Sequence, residues 1–298
     1  MITLCSIAAL KAYTGPDEIV RVMGYHCLND GGGGTFVWRR RTSLPTGAIT
    51  DEGIFFSSSG KTSNNSLNQG LWERLDQDQV SAKWYGARGD GIADDNSAIQ
   101  SALNCGALRI YLPYTPDGYC ISGLTLPAGV SLIGTDSRRL RTGLARYPVL
   151  KIIPGQGNYG IRSLPDATGG SLEQLVIAGT TGLAFGLAAT AADFRTVDVS
   201  IYGFRDAPGL LIDRGRRSVH TRLHIYDCCC GLQFTGRPEM GSDTVFNSLR
   251  HMLRAPPSSP PSSHEIKKGL WRSSASATGL KRTSRRRYKD DKVLFDQI

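Results

Sequence analysis

Isoleucine recurs every 24 residues through the middle of this 298-residue chain, and its surroundings repeat with it. The repeated positions are the isoleucines Ile153, Ile177, Ile201 and Ile225, the flanking Leu175, Val199 and Leu223, and the pairs Gly182-Leu183, Gly209-Leu210 and Gly231-Leu232. A unit this short, with two strands and glycine at its corners, cannot bury its apolar face alone, whereas stacked units share a continuous core. The spacing therefore predicts a β-solenoid.

A glycine- and aspartate-rich segment precedes the repeat. Its Gly-Asp-Gly triplet favours a turn, and the paired aspartates offer an oxygen to the free amides of a following helix. Apolar residues at helical spacing then predict a capping helix from about Asn96. Turn formation and capping account for the whole segment, so we interpret these residues as a structural signature rather than catalytic groups: Gly89, Asp90, Gly91, Asp94 and Asp95. A Ca²⁺ site on the three aspartates is an alternative, but their spacing does not fit the EF-hand loop.

The first 78 residues predict a separate, small β-rich module. β-like runs occur at 18–23, 35–38 and 70–75, and a run of glycines at 31–34 separates the first two. Such a run fits a loop in which the backbone adopts positive φ or approaches another group closely. We therefore expect a module at 1–78 and a parallel β-helix at 79–249.

The last segment, 250–298, differs in composition from the rest. It contains 12 Lys/Arg against 4 Asp/Glu and so carries +8 of the chain's net charge of +9. The folded body is therefore close to neutral, which argues against specific nucleic-acid binding. The segment's Pro/Ser-rich and basic runs predict disorder. We interpret it as the product of a frameshift or truncation that cuts the β-helix short.

The cysteines and the N-terminus bear on cofactors and location. The seven cysteines are odd in number and lack a Cys-x-x-Cys pair, so we expect free thiols, no metal and no cofactor. The N-terminus has neither a basic region nor a clear cleavage site, and no run reaches the ~18 apolar residues of a membrane span. These features predict synthesis in the bacterial cytoplasm, no export signal and no membrane insertion.

The signature at 86–103 resembles the opening motif of the pectate-lyase-like superfamily. The first module is similar to the small module that precedes this motif in phage tailspikes, through 22–25, 30–38 and 70–75. The resemblance covers about residues 5 to 236. It implies an all-β, right-handed, single-stranded parallel β-helix with a capping helix, homotrimerisation, a place in the virion tail or outside the cell, and hydrolysis or β-elimination of polysaccharides. The chain departs from the family in being short.

The register of the repeat predicts one functional face. If the isoleucines point inward, strand alternation sends their neighbours outward, and residues 24 apart stack on adjacent coils. The outward rows are then Gln174, Asp198, Arg222; Val176, Ser200, His224; and Ala178, Tyr202, Tyr226. Asp and His suit proton transfer, Arg suits uronate carboxylates, and aromatic rings suit stacking on sugars. We predict catalytic roles for Asp198, Arg222 and His224, and substrate binding for Ser200, Tyr202 and Tyr226.

Other polar residues have simpler interpretations. Asp206 and Asp227 are candidate second carboxylates for hydrolysis, although the pattern does not place them on this face. We take His220 as a surface corner residue, and Cys228-Cys229-Cys230 as a coil corner with buried thiols. Lone structural acids at turns are expected at Glu173, Asp193 and Asp213.

Three functions remain open after the sequence is considered. The first is a tailspike-like depolymerase, lyase or glycoside hydrolase, acting on bacterial surface glycans. The second is a non-catalytic virion structural or receptor-binding protein. The third is a truncated, inactive remnant, and the outward face itself has the plain alternative of a solvated sheet surface.

Overall fold

The structure is a computed structural model that describes residues 1–61, 70–75, 79–135, 147–153, 159–164, 168–179, 185–213, 217–235 and 244–252. These residues belong to one compact unit, Met1–Ala255. The predicted tail lies outside the described residues from position 253 onward. The last described strand runs three residues beyond the predicted boundary at 249.

The N-terminal module is one five-stranded sheet with a short helix. Its strands, in the order β1-β2-β3-β5-β4, are β1 (Ile2–Leu4), β2 (Ile19–Val22), β3 (Gly34–Arg40), β4 (Phe55–Phe56) and β5 (Gly70–Arg74). Helix α1 (Ile7–Ala12) begins after Ser6, whose hydroxyl accepts from the Ala9 amide at 3.3 Å. The three predicted runs coincide with β2, β3 and β5, whereas β1, β4 and α1 are too short to leave a pattern.

The remaining described strands form a parallel β-solenoid of about four turns, as predicted. The capping helix is α2 (Asn96–Leu103). One sheet has the order β19-β17-β15-β13-β10-β7-β6, with β11 joining β13 to β8, and the other has the order β18-β16-β14-β12-β9. The strands are β6 (Val80–Ser81), β7 (Arg109–Pro113), β8 (Tyr119–Ile121), β9 (Leu124–Leu126), β10 (Ser131–Thr135), β11 (Val149–Ile152), β12 (Tyr159–Ser163), β13 (Ser171–Ala178), β14 (Phe185–Ala189), β15 (Arg195–Tyr202), β16 (Pro208–Asp213), β17 (Val219–Tyr226), β18 (Cys230–Thr235) and β19 (Val245–Met252).

The 24-residue register is confirmed where the coils have constant length. Ile177, Ile201 and Ile225 pair in register on β13, β15 and β17, and each is at most 1% exposed. The prediction is wrong for Ile153, because Leu150 pairs with Ile177 and Ile153 follows the end of β11. The coil between these partners is 27 residues long, so the constant period does not reach back to it.

The Gly-Leu repeat is also shifted in its first copy. Leu187 pairs with Leu210, and Leu210 pairs with Leu232, so Gly186-Leu187 is the copy that aligns. Gly182-Leu183, which we predicted for this position, lies outside the described residues. The sequence contains Gly-Leu at both places, and spacing alone favours the wrong one.

A stacked bend divides each long strand of the solenoid. Gln174, Asp198, Arg222 and Ser248 all have positive φ, between 50° and 64°. Each is skipped in the ladder between residues that do pair, such as Val197 and Val199 with Thr221 and Leu223. One extra residue therefore stays on the outside, which resets the alternation of inward and outward side chains.

The signature residues hold the turn before α2. Asp90 accepts from the amides of Ile92 (2.9 Å) and Ala93 (2.8 Å), and Asp94 accepts from the Asn96 amide at 2.9 Å. Asp95 makes no cap bond with its side chain. Its buried carboxylate instead accepts from the amides of Arg88 (2.6 Å) and Gly89 (2.9 Å).

Arg74 lies at the junction between the module and the solenoid and is only 1% exposed. Its guanidinium donates three hydrogen bonds to backbone carbonyls, at 2.9 Å to Gly53, 2.6 Å to Gly33 and 2.9 Å to Gly32. It also lies between two rings, 4.6 Å from the centre of Phe36 and 4.5 Å from that of Trp84. Burial lowers the pKa of Arg74 to about 10, so the side chain stays charged at neutral pH.

The glycine run permits the approach to Arg74. Gly31 has φ +89°, and a Cβ on Gly33 would lie 2.5 Å from the Val22 carbonyl oxygen. A Cβ on Gly34 would collide with the Arg74 guanidinium. The sequence predicted a close approach here, and the group approached is this buried cation.

Candidate functional site

The three predicted rows lie in register on one outward face of β13, β15 and β17. Their inward neighbours Val199 and Leu223 are fully buried, while Ser200, Tyr202 and His224 are partly exposed. Adjacent parallel strands lie about 4.8 Å apart, so each row places its side chains one coil from the next. The fold therefore brings together all six residues that the sequence singled out for catalysis and binding.

Asp198 and Arg222 form a bidentate ion pair between coils. Arg222 Nη2 donates to Asp198 Oδ2 at 2.6 Å, and Arg222 Nε donates to Asp198 Oδ1. The pair is partly open to solvent, with side-chain exposures of 21% for Asp198 and 55% for Arg222. Hydrogen bonding to the carboxylate raises the pKa of Arg222. Both carboxylate oxygens of Asp198 are thus engaged.

Ser200 and His224 occupy the middle row. They are direct partners on β15 and β17, and Val176 precedes them on β13. The imidazole of His224 thus lies on the same face of β17 as Arg222, two residues further along the strand. A titratable ring next to a carboxylate–guanidinium pair is an arrangement that can move a proton to or from a bound ligand.

Tyr202 and Tyr226 form the third row as a stacked pair. Their ring centres lie 5.0 Å apart at an interplanar angle of 9°. Burial raises the pKa of Tyr226, and its neighbour Tyr202 adds to the effect. Each ring covers one face of the other, so a ligand reaches the ring edges, the hydroxyls and the two outer faces of the stack.

A second carboxylate for two-acid hydrolysis does not come from Asp227. Asp227 follows β17 at the coil corner with φ 49° and pairs with Arg205, whose Nη2 lies 3.2 Å from Asp227 Oδ2. It therefore belongs to the corner rather than to the row of Asp198. Asp206 also lies in the turn after β15.

Several lesser predictions need correction. His220 is not a surface corner residue, because its side chain is 0% exposed inside the coil. Asp193 is not a lone acid, since it forms a bidentate pair with Arg217 at 2.7 and 2.6 Å. Glu173 lies within β13 rather than at a turn and accepts from Ser171 Oγ at 2.8 Å. Of the three adjacent cysteines only Cys228 is buried; Cys229 is exposed.

The sequence analysis missed two features that the same spacing contains. Asp193 and Arg217 are 24 residues apart, as are Asp198 and Arg222, so the spacing could have predicted both pairs. Thr196 and His220 are also 24 apart, and Thr196 Oγ1 lies 3.0 Å from His220 Nδ1 inside the core. A histidine on the inward face carries no signal of its own in a single sequence.

Within the described ranges, no cluster of three or more His, Cys, Asp or Glu side chains is placed to hold a metal ion. In the same part of the chain, no helix is long and apolar enough to cross a membrane.

Comparisons with known proteins agree with this architecture. Residues 3–77 match the phage tail protein small four-stranded β-sheet domain. A preneck appendage protein of Bacillus phage PZA is 39% identical over 67 residues, which are 22% of this chain and 8% of that protein. Among solved structures, the enzymatically active domain of tailspike protein 2 from bacteriophage CBA120 matches with TM-score 0.60 and 18% identity, covering 78% of this chain and 36% of that one. A tailspike protein of Acinetobacter baumannii bacteriophage Fri1, described as a capsular polysaccharide depolymerase, matches with TM-score 0.53 and 16% identity, covering 85% and 52%.

The fold is therefore a tailspike-type parallel β-solenoid preceded by a phage tail β-sheet module. The chain spans 8% of the appendage protein and about a third to a half of the two tailspike chains.

Proposed function

We propose that this chain is a virion-tail protein that binds and degrades a bacterial surface polysaccharide along the outward face of β13, β15 and β17. The observation that carries the proposal is the register of three pairs on one face: Asp198 with Arg222, Ser200 with His224, and Tyr202 with Tyr226. The pairs follow one another along the strands, so an extended chain of sugars can contact all three. Homotrimerisation, frequent in this class of protein, is part of the proposal.

The chemistry that fits this face best is proton transfer at an acidic sugar. His224 is the candidate base, and Arg222 is the candidate partner for a uronate carboxylate, which it would share with Asp198. Because the face presents a single carboxylate beside an imidazole, β-elimination fits it better than hydrolysis by two carboxylates some ~5–10 Å apart. Tyr202 and Tyr226 would then position the sugar chain by ring contacts.

Asp198→Asn and His224→Gln are each expected to lower depolymerase activity by about 10²-fold or more, as the loss of a proton-transfer group does. Activity is measured on capsular or exopolysaccharides of candidate hosts through new reducing ends and through the ultraviolet absorbance of unsaturated uronates. The matched control is Asp193→Asn, which breaks the same kind of inter-coil pair with Arg217 at the other end of the same strand. If all three variants turn over as fast as the wild type, this face is not the catalytic site.

A second candidate function is glycan recognition without cleavage, and the closed Asp198–Arg222 pair favours it. A carboxylate with both oxygens held by one guanidinium is a poor proton acceptor and a good rigid surface element. The face would then be a receptor-binding surface of the virion. Binding without new reducing ends or unsaturated products would support this candidate, and absence of both would leave an inactive remnant.

Binding itself is expected to depend on the tyrosine stack. Replacing Tyr226 by alanine removes one ring of the stack, and we expect polysaccharide affinity to fall about tenfold, in line with ~0.5–1.5 kcal/mol for an aromatic contact. The measurement is a glycan array followed by calorimetry with the best ligand. Tyr111→Ala, on the outer side of β7, is the control that should leave affinity unchanged. Equal affinity in the wild type and the Tyr226 variant would move the binding surface elsewhere.

A further inference from the structure

The side chain of Lys61 lies in a cage of three aromatic rings in the N-terminal module. Its Nζ is 4.9 Å from the centre of the Trp72 ring, 5.5 Å from that of Trp38 and 5.6 Å from that of Tyr13. The same ammonium donates to the Asp17 carbonyl oxygen at 2.8 Å. All three rings are within the ~6 Å at which a cation is attracted to an aromatic face.

The rings are held by contacts that do not involve Lys61. Trp38 and Trp72 are direct partners on β3 and β5, with ring centres 5.3 Å apart in an edge arrangement. Tyr13 follows helix α1, and its hydroxyl donates to Asp17 Oδ2 at 2.6 Å. Because the sheet and this hydrogen bond fix the rings, the cage is formed before any cation enters it.

The electrostatic surroundings favour a positive charge that has lost part of its water. Burial lowers the pKa of Lys61, while the nearby acids Glu18 and Asp17 act in the opposite direction. A desolvated cation with carboxylates close by and aromatic faces around it is the situation in which cation–π attraction is strongest. The chemistry of the cage therefore selects alkylammonium groups over neutral groups of the same shape.

A short segment delivers Lys61 to the cage. Ser58 and Ser59 both donate from their hydroxyls to the Lys11 carbonyl oxygen, at 3.2 and 3.1 Å, and the Ser59 amide donates to it at 2.9 Å. A Cβ on Gly60 would lie 2.5 Å from the Tyr13 carbonyl oxygen, so only glycine allows this approach. The segment 58–61 is thus pinned to the end of α1 with its lysine pointing into the rings.

We propose that the cage of Tyr13, Trp38 and Trp72 is a self-occupied cation-recognition site, which takes the Lys61 ammonium within the chain and binds a free quaternary ammonium ion once Lys61 is withdrawn. The ligand class is an alkylammonium ion such as choline. This site belongs to the module and does not depend on the polysaccharide function proposed for the coils.

The test is a titration of the full chain with choline, followed by tryptophan fluorescence and by calorimetry. Lys61→Ala is expected to bind choline with an association constant about tenfold above that of the wild type and of the same variant with the uncharged isostere dimethylbutanol. Lys11→Ala is the matched control, because it removes another lysine beside a ring, 5.7 Å from the centre of Phe56, and leaves the cage filled. Adding Trp38→Leu to the Lys61 variant should remove the binding.

Two results would overturn the proposal. One is a folded Lys61→Ala variant that does not bind choline, and the other is equal binding of choline and dimethylbutanol, which would mean an apolar cavity. Should Lys61→Ala not fold, the wild type provides the decision through reductive methylation with ¹³C. One methylammonium signal, absent from Lys61→Arg, must then be shifted upfield by the surrounding rings, and its absence rejects the cage.

Discussion

Replacing Arg74 by methionine is expected to destabilise the protein by about 4 kcal/mol and to lower its melting temperature by roughly 10 °C. Methionine keeps much of the length and apolar stem of arginine but donates no hydrogen bonds. Three carbonyls at the junction would lose their donor, and each buried polar group left without a partner costs ~1–3 kcal/mol. The stacking of the guanidinium between Phe36 and Trp84 would be lost as well. Thermal and chemical denaturation followed by circular dichroism measure the change.

The control is Arg39→Met on the neighbouring strand β3. Arg39 is 44% exposed and pairs with Glu73 at 2.7 Å, so its removal should cost no more than ~1 kcal/mol. Arg74→Lys is the more demanding comparison, because an ammonium cannot reach three carbonyls in the geometry of the guanidinium fork. Equal stability of the Arg39 and Arg74 variants would show that water replaces the guanidinium at the junction.

The Arg74 network illustrates which parts of the fold the sequence predicts. The glycine run at 31–34 predicted a close approach, and the strand pattern around 70–75 predicted β5. Nothing in the sequence pairs the two, because the partners of Arg74 are backbone carbonyls, which every residue has. A buried arginine that binds carbonyls is visible only once the chain is folded.

Register was predictable where coil length is constant, and it failed where the length changes. Ile177, Ile201 and Ile225 align because two successive coils have the same length. The longer coil that begins at Leu150 displaces Ile153 from the row. The face with Asp198, Ser200 and Tyr202 was placed correctly because it lies after the bend, on the same stretch of strand as Ile201.

The error on His220 has a definite physical cause. Counting back from Ile225 with strict alternation places position 220 outside, but Arg222 at φ 50° inserts one residue into the bend and reverses the phase before it. Gln, Asp, Arg and Ser occupy the four stacked positions of this bend, and only aspartate is enriched in left-handed backbone. A bend made without glycine leaves no reliable mark in one sequence.

Acidification is expected to destabilise the solenoid through His220, because this histidine is buried without a charged partner. Burial lowers the pKa of His220 to about 4, from 6.5 in an unfolded chain. Between these two values the unfolded chain takes up a proton that the folded chain excludes, so stability falls as the pH falls. A shift of this size corresponds to about 3 kcal/mol, lost progressively from about pH 6.5 to about pH 4. The measurement is the free energy of unfolding against pH.

The surroundings of His220 explain why protonation is so unfavourable. Thr196 Oγ1 meets Nδ1 at 3.0 Å, the ring stacks on Phe246 at 4.9 Å, and Nε2 has no hydrogen-bond partner among the described residues. A second proton on the ring would need an acceptor at Nε2, and the neighbouring Ser218 hydroxyl is itself buried without a partner. Opening the coil to water is the remaining way to solvate the charge.

His220→Phe separates this effect from general acid denaturation. Phenylalanine keeps the stack on Phe246 and cannot be protonated, so the variant should lose the His220 part of the acid dependence, at the cost of an unpaired Thr196 hydroxyl. His224→Gln removes a histidine from the outward face of the same strand and should retain the full dependence. If His220→Phe and the wild type lose stability in parallel down to pH 4, the acid-sensitive group lies elsewhere. If only His220→Phe resists, one inward histidine sets the acid limit of these coils.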